Sequence, residues 1–229
     1  MSPDLSTTAV VIPALDEEDS LPYVLAAMPG VGAVFVVDNG STDNTASVAA
    51  SHGATVLSQP TRGYGLACQV GIEAAAAAGF DVVVIMDGDH SFEPTQMGRL
   101  VGPILADQAD MVLGDRTKTA EPGSLTLPQR VGNKVATRMI HLVSGHEYRD
   151  MGPFRAIRTE RLIALKMQDP NYGWNVEMQL KALKNGLRVL EVPVDCRSRV
   201  AGTSKISGSL RTAAKCGAKM MLATVRYAT

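Results

Sequence analysis

The stretch Asp81-Val82-Val83-Val84-Ile85-Met86-Asp87-Gly88-Asp89 decides the fold. Four β-branched residues in a row, followed by Met86, show none of the alternation expected of a strand with one wet face. An unbroken apolar run of this length predicts a strand over 81–86 that is covered on both faces, as in parallel sheets flanked by helices. The run stops abruptly at two carboxylates separated by a glycine. Ligands of open α/β sheets bind at the carboxyl ends of strands. Two carboxylates two residues apart on a turn can share one hard cation, magnesium or manganese, and leave positions open for diphosphate oxygens. A cation held there offsets charge that builds on a leaving group. Taken alone, the pair also fits a solvated acidic turn.

Outward from this stretch the pattern repeats. Strands are predicted at 8–12, 33–37, 54–57 and 111–113. Helices are predicted at 21–28, at 43–51 behind the Ser41-Thr42-Asp43 cluster, at 66–78 ending on Gly79, and from about Pro94. This β-α order predicts a doubly wound, mostly parallel sheet flanked by helices. The second half is less regular: a Pro/Gly-containing loop at 121–128, a helix at 130–143, an extended segment at 153–157, a helix at 174–184, a strand at 187–194, a Gly/Ser-rich loop at 201–208 and a last helix at 210–227. No repeat and no second domain are visible, so 1–229 reads as one domain.

Composition agrees with a folded globular chain: 229 residues, 45% hydrophobic and 20% charged. Aromatics are scarce, which leaves Ala, Val, Leu and Met to fill the core. Cys68, Cys196 and Cys216 form neither a metal-ligand pair nor a disulfide framework, as in a reducing compartment. No signal peptide and no membrane span are expected, which points to the cytoplasm. The charge is uneven. After Asp195 there are seven basic residues and no acidic one, against 15 basic and 23 acidic residues up to and including it. Such a tail faces an anion, whether phosphate, membrane surface or nucleic acid. The acidic body and the lack of interleaved aromatics argue against nucleic acid. In the last helix Arg211, Lys215, Lys219 and Arg226 fall on one arc. Leu210, Ala213, Ala214, Met220, Met221 and Val225 occupy much of the other side, a pattern shared by interfacial helices and ordinary packed ones.

Three further strand ends carry polar groups. Pro13-Ala14-Leu15-Asp16-Glu17-Glu18 follows the first strand, with acids suited to a helix N-terminus. Asp38-Asn39-Gly40-Ser41-Thr42-Asp43 follows the second; Asp38 can accept from a base or ribose, and the rest reads equally as a cap and a turn. Arg62-Gly63-Tyr64-Gly65-Leu66-Ala67 precedes a helix whose N–H groups can meet phosphate, but lacks the P-loop ending. Trp174 suits either a sugar site or the core. Among the histidines, none at ligand spacing, only His90 beside Asp89 stands out.

In this order the motifs resemble those of the family-2 glycosyltransferases, most closely the dolichyl- or polyprenyl-phosphate mannosyl- and glucosyltransferases. The likeness runs from Pro13–Glu18 through Asp38–Thr45, Arg62–Gly65, Asp87–Asp89, Gly114-Asp115-Arg116, Arg130–Asn133, Gly152-Pro153-Phe154-Arg155, Glu177-Met178 and Glu191-Val192-Pro193 to Arg199-x-x-Gly202-x-Ser204-Lys205. It departs at Asp16 for Asn, at Asn39 for the second Asp, at Leu15 for an aromatic residue, at Ser91 for Gln, and at Pro153.

The resemblance implies a GT-A fold with a nucleotide-sugar half (1–115) and an acceptor half (116–229) ending in the basic helix. Pro13, Leu15, Glu17, Asp38, Gly65, Asp87 and Gly88 would bind the donor, and Asp87 and Asp89 the metal, Mg2+ or Mn2+. Arg116, Arg130, Lys134, Arg199, Ser204 and Lys205 would bind the acceptor. Asp89, Arg116 and Glu177 are the candidate catalytic residues. The implied reaction moves a hexose, with inversion, from a GDP-mannose or UDP-glucose type of donor to a polyprenyl phosphate, with peripheral contact at the cytoplasmic face of a membrane. An anionic phosphate acceptor needs no strong base. A soluble hydroxyl acceptor would need one, such as Asp150 or Glu177. Nucleotidyl transfer is a third reading, disfavoured by the acidic first turn. A homo-oligomer is left open.

Overall fold

The computed structural model describes residues 3–201 and 210–228, with the side chains of 210–216 and 228 left aside. Seven strands form one sheet in the order β3-β2-β1-β4-β6-β5-β7. These are β1 Leu5–Ala14, β2 Val31–Asp38, β3 Thr55–Ser58, β4 Val82–Ile85, β5 Met111–Asp115, β6 Arg155–Arg158 and β7 Val189–Pro193. The helices are α1 Leu21–Ala26, α2 Thr45–Ser51, α3 Tyr64–Ala77, α4 Met97–Leu105, α5 Leu127–Ser144, α6 Thr159–Ala164, α7 Trp174–Lys184 and α8 Leu210–Ala228.

The unbroken apolar run of β4 has the expected cause. Val83 and Ile85 point into a core shared with α3, α5, α7 and α8, while Val82, Val84 and Met86 point into a second core under α1, α2 and α4. Every position of the strand is thus buried, on one face or the other. The fold is of the GT-A type, an α/β sheet between two helical layers.

Strand β6 departs from the parallel plan. It runs antiparallel between β4 and β5. The chain leaves β5 at the carboxyl edge of the sheet, passes through α5, and re-enters at that same edge through residues 145–154. This return sets Asp150 and Gly152 beside the end of β5, where the Gly114 amide donates to the Phe154 carbonyl at 2.9 Å.

Helix α5 starts at Leu127, inside the stretch expected to be a loop. Thr126 and Gln129 form a reciprocal capping box, and Pro128 lies in the first turn, where its missing N–H has no partner to lose. Helix α6 was not foreseen. Asp43 accepts from the Thr45 amide at 2.9 Å, so the expected cap lies two residues ahead of α2. No helix among the described residues is long and apolar enough to cross a membrane.

Candidate active site

The loops after β1 and β2 are laced together by side chains. The Asp16 amide donates to Ser41 Oγ at 3.0 Å, the Glu17 amide to Thr45 Oγ1 at 2.9 Å, and the Glu18 amide to Asp43 Oδ2 at 3.1 Å. In return, Asp16 Oδ1 accepts from the Thr42 amide at 2.7 Å and Glu18 Oε2 from the Asn44 amide at 2.9 Å. Asp16 sits at φ 50°, a region that Asn and Asp tolerate better than most residues. The Asp at this position therefore keeps the turn.

Asn39, the other acid-to-amide departure, has a structural task. Its Nδ2 donates to the carbonyls of Gln59 (2.9 Å) and Thr61 (2.8 Å), and its Oδ1 accepts from the Gly63 amide at 2.8 Å. It fastens the end of β2 to the turn before α3. Asp38 accepts from the Ser41 amide at 3.0 Å and is half-buried at the same edge. Pro13 and Leu15 are half-buried beside it.

Gly65 opens α3 because nothing larger fits. A Cβ there would lie 2.0 Å from the Asp169 carbonyl and 2.8 Å from the Trp174 ring. Trp174 is 1% exposed, which settles it as core.

At the end of β4, Ser20 Oγ donates to the Gly88 carbonyl and to Glu17 Oε2, both at 2.8 Å, tying Glu17 to the acidic turn. Asp89 is buried and accepts from the Ser91 amide at 2.9 Å. Asp87 has its carboxyl raised above the usual range, chiefly by burial and then by the neighbouring Asp89, with Arg116 opposing. Burial and a neighbouring like charge both disfavour the ionised carboxylate, and a cation beside the two would offset that cost. Among the described residues no three His, Cys, Asp or Glu groups converge. A cation held by Asp87 and Asp89 would thus keep several positions for other oxygens. The pair fits such an ion: Asp89 Oδ2 already holds a cationic group, the Arg199 guanidinium, at 2.7 Å.

Arg116 follows β5. Its Nε lies 3.0 Å from Asp150 Oδ2, which also accepts from the Arg116 amide at 3.0 Å. Its guanidinium carbon stands 6.0 Å from the centre of the Phe92 ring, which packs on Phe154. Along α5, Asn133 accepts from the Met151 amide at 2.8 Å and donates to the Arg149 carbonyl at 3.0 Å. This docks the N-terminal half of α5 on the loop that carries Asp150. Arg130 and Lys134, one turn apart on the same helix, are exposed.

Two expectations change. Arg199, expected at the acceptor phosphate, lies on Asp89 and 3.8 Å from Glu17, with the carboxylates of the donor turn. Glu177, expected at the reacting atoms, is fully buried and accepts from the amides of Gln168 (2.8 Å) and Asp169 (2.6 Å), with Lys181 Nζ at 2.7 Å. Its carboxylate braces the loop that packs against Gly63 and Gly65. Ser204 and Lys205 lie outside the described residues. Two residues that the motif reading gave no role belong here: Ser20 and Phe92, neither of which carries a sequence signal beyond its position near a strand end.

The sheet order, the helical layers and a carboxylate pair at the end of β4 define a glycosyltransferase of the GT-A class. A model of glycosyl transferase family 2 matches residues 9–164, and the chain belongs to that family. An uncharacterized glycosyltransferase of Mycobacterium tuberculosis is 40% identical over 88% of this chain and 90% of its own. The polyprenol monophosphomannose synthase of Mycolicibacterium smegmatis is 31% identical over 88% of this chain and 82% of its own. Among solved structures, glucosyl-3-phosphoglycerate synthase from Mycobacterium tuberculosis, in complex with Mn2+, UDP and glucosyl-3-phosphoglycerate, superposes with a TM-score of 0.75. It shares 23% identity and covers 96% of this chain and 79% of that one.

Proposed function

We propose that this enzyme transfers a hexose, with inversion, from a nucleotide-diphosphate sugar to the phosphate of a polyprenyl or dolichyl phosphate. The observation that carries the reading is the fixed guanidinium of Arg116. It is anchored by Asp150 at the sheet edge that also bears the Asp87–Asp89 turn, and it is among the charges acting on Asp87. The two carboxylates that would serve a hydroxyl acceptor as base are both engaged. Asp150 holds Arg116, and Glu177 braces the 168–169 backbone. A phosphate acceptor needs no such base; Arg116 would meet it, and in this reading Arg130, Lys134 and Lys205 add positive charge. The relation to a polyprenol monophosphomannose synthase supports the same acceptor.

In this reading residues 1–115 hold the donor and residues 116–229 the acceptor. Glu17, Asp38, Pro13 and Leu15 face the nucleoside, and the backbone of the Gly63–Gly65 turn and of Gly88 borders the donor. A divalent cation, Mg2+ or Mn2+, held by Asp87 and Asp89, supplies charge neutralisation to the leaving diphosphate. The chain's own task is positioning: Arg116 would orient the attacking phosphate oxygen, and Asp87 and Asp89 would hold the cation that the leaving diphosphate needs.

A membrane-borne acceptor also accounts for an exposed apolar face. Helices α5 and α8 pack together and contain no acidic residue. Leu127 is 74% exposed, Val131 53%, Leu222 67% and Val225 63%, beside Arg130, Lys134 and Arg226. The buried side of α8 is Ala223, Thr224 and Tyr227, so packing against the domain leaves Leu222 and Val225 uncovered. Exposed apolar side chains interspersed along a helix with cations suit the surface of an anionic bilayer.

The test is a transfer assay with GDP-mannose and UDP-glucose as donors and Mn2+ present. Polyprenyl phosphate in detergent, 3-phosphoglycerate and a simple sugar alcohol are offered as acceptors. Product on the lipid that disappears with EDTA is the expected result. Transfer to 3-phosphoglycerate or the alcohol, with none to the lipid, overturns the acceptor assignment.

A further inference from the structure

The carboxylate turn carries its own counter-cation. Arg199 Nη2 lies 2.7 Å from Asp89 Oδ2, and its Nη1 lies 3.8 Å from Glu17 Oε1 with no hydrogen-bond partner of its own. The side chain is only one quarter exposed. The segment that delivers it is fastened along the same turn. Cys196 bridges to Phe92, the Arg197 amide donates to the Ser91 carbonyl at 2.9 Å, and the Arg197 guanidinium pairs with Glu93 and reaches the His90 carbonyl. The charges acting most on Asp87 are the repelling Asp89 and Glu17 and the attracting Arg116 and Arg199. Of the two arginines, Arg116 has Asp150 as a dedicated partner at 3.0 Å, whereas Arg199 is paired with the donor-turn carboxylates themselves.

Resting on the metal-and-diphosphate reading above, we propose that Arg199 competes with the divalent cation for Asp89 and makes cation binding depend on the nucleoside diphosphate. A guanidinium and a divalent ion cannot both take full advantage of one carboxylate oxygen, because each desolvates it and they repel each other at close range. With no diphosphate present, the cation must displace a charge-assisted pair and strand a partly buried guanidinium whose Nη1 is already short of an acceptor. When the diphosphate arrives, its oxygens give the displaced guanidinium new acceptors, to which Arg donates in a forked manner. The two ligands are thereby coupled through one side chain, and the coupling is reciprocal. Arg199 is thus a positioning residue of the donor site, held over the metal carboxylate until the diphosphate takes its charge.

The experiment measures Mn2+ binding to the whole protein by the loss of the free-ion paramagnetic signal, alone and with UDP or GDP. Wild type, Arg199→Ala, Arg199→Lys and Arg197→Ala are compared, and circular dichroism confirms the fold of each. Arg199→Ala is expected to bind Mn2+ alone about tenfold more tightly than wild type and to lose most of the gain that nucleotide brings. Arg199→Lys should fall between the two, because a point charge remains without the fork. Arg197→Ala loosens the same segment but leaves the carboxylate pairing, and should bind Mn2+ as wild type does. Unchanged or weaker Mn2+ binding by Arg199→Ala, or equal tightening in Arg197→Ala, overturns the proposal while leaving the metal reading intact. No Mn2+ binding by wild type with either nucleotide overturns the metal reading itself, and this inference with it.

Discussion

Asp150 Oδ2 meets both the backbone N–H and the Nε of Arg116, each at 3.0 Å. The two residues are 34 positions apart and come from opposite ends of the excursion through α5. Asp150 is 1% exposed, so the pair is nearly dry on the carboxylate side and the guanidinium has little freedom to turn. Asp150→Asn keeps the size but removes the charge, and is expected to lower kcat/KM for the acceptor by about 100-fold through misplacement of Arg116. Nucleotide binding should hardly change. Steady-state kinetics with the acceptor varied, beside nucleotide affinity by calorimetry, check this; equal losses in both would mean that Asp150 supports the whole sheet edge.

Asn39 makes three hydrogen bonds in which its amide donates twice. Placing at this position the Asp common in the family removes both donations and sets a negative charge against two carbonyl oxygens. Asn39→Asp should cost about 2–3 kcal/mol, or roughly 5–10 °C in Tm for a chain of this size. A Tm within a degree of wild type would show that the turn before α3 reorganises freely.

Arg188 grips Asp110 through Nε and Nη2, both at 3.0 Å, and holds its carboxyl down at about 2, with the hydrogen bonds as the largest cause. A carboxyl depressed in the folded state stabilises the protein above its unfolded value of 3.8. That contribution is lost as pH falls through the folded value. Arg188→Ala should therefore lower the urea midpoint at neutral pH, and the gap to wild type should close as pH falls from about 4 toward 2. A gap that stays constant down to that pH would assign the effect to packing of the arginine stem.

The uncovered face of α5 and α8 predicts lipid binding that weakens with salt. Wild type is expected to co-sediment with vesicles containing anionic lipid and to stay in the supernatant with neutral vesicles. Val131→Glu and Leu222→Glu, at sites 53% and 67% exposed, should each abolish most of the binding without lowering Tm by more than about 1 °C. Identical recovery in the supernatant with both vesicle types would dismiss the membrane surface as the partner of this face.

Local sequence determined much of this protein. The Val82–Ile85 run announced a strand buried on both faces because residues of one strand alternate between two cores, and only a sheet covered on both sides makes every position apolar. The polar clusters at 13–18, 38–43 and 87–89 were legible as strand ends because chain reversal and ligand contact both demand short polar residues and glycine there. The early start of α5 was missed because Pro128 reads as a breaker, although the first turn of a helix tolerates it.

What the tertiary structure alone decided is the use of each charged group. Glu177 and Asp150 are carboxylates of the same chemistry as Asp87 and Asp89. Nothing in their neighbours in sequence tells that one braces the 168–169 amides and the other holds Arg116. Arg199 reads with the acceptor-side basic residues by position, yet lies on Asp89, 110 positions away in the chain. Strand β6 runs antiparallel because the chain re-enters the sheet at the edge it left, a choice that the long connection through α5 leaves open in the sequence. Secondary structure follows from local sterics and periodic burial, which a sequence displays. The role of a charge follows from which distant partner the fold brings within about 3 Å, because a hydrogen-bonded ion pair forms only at that separation.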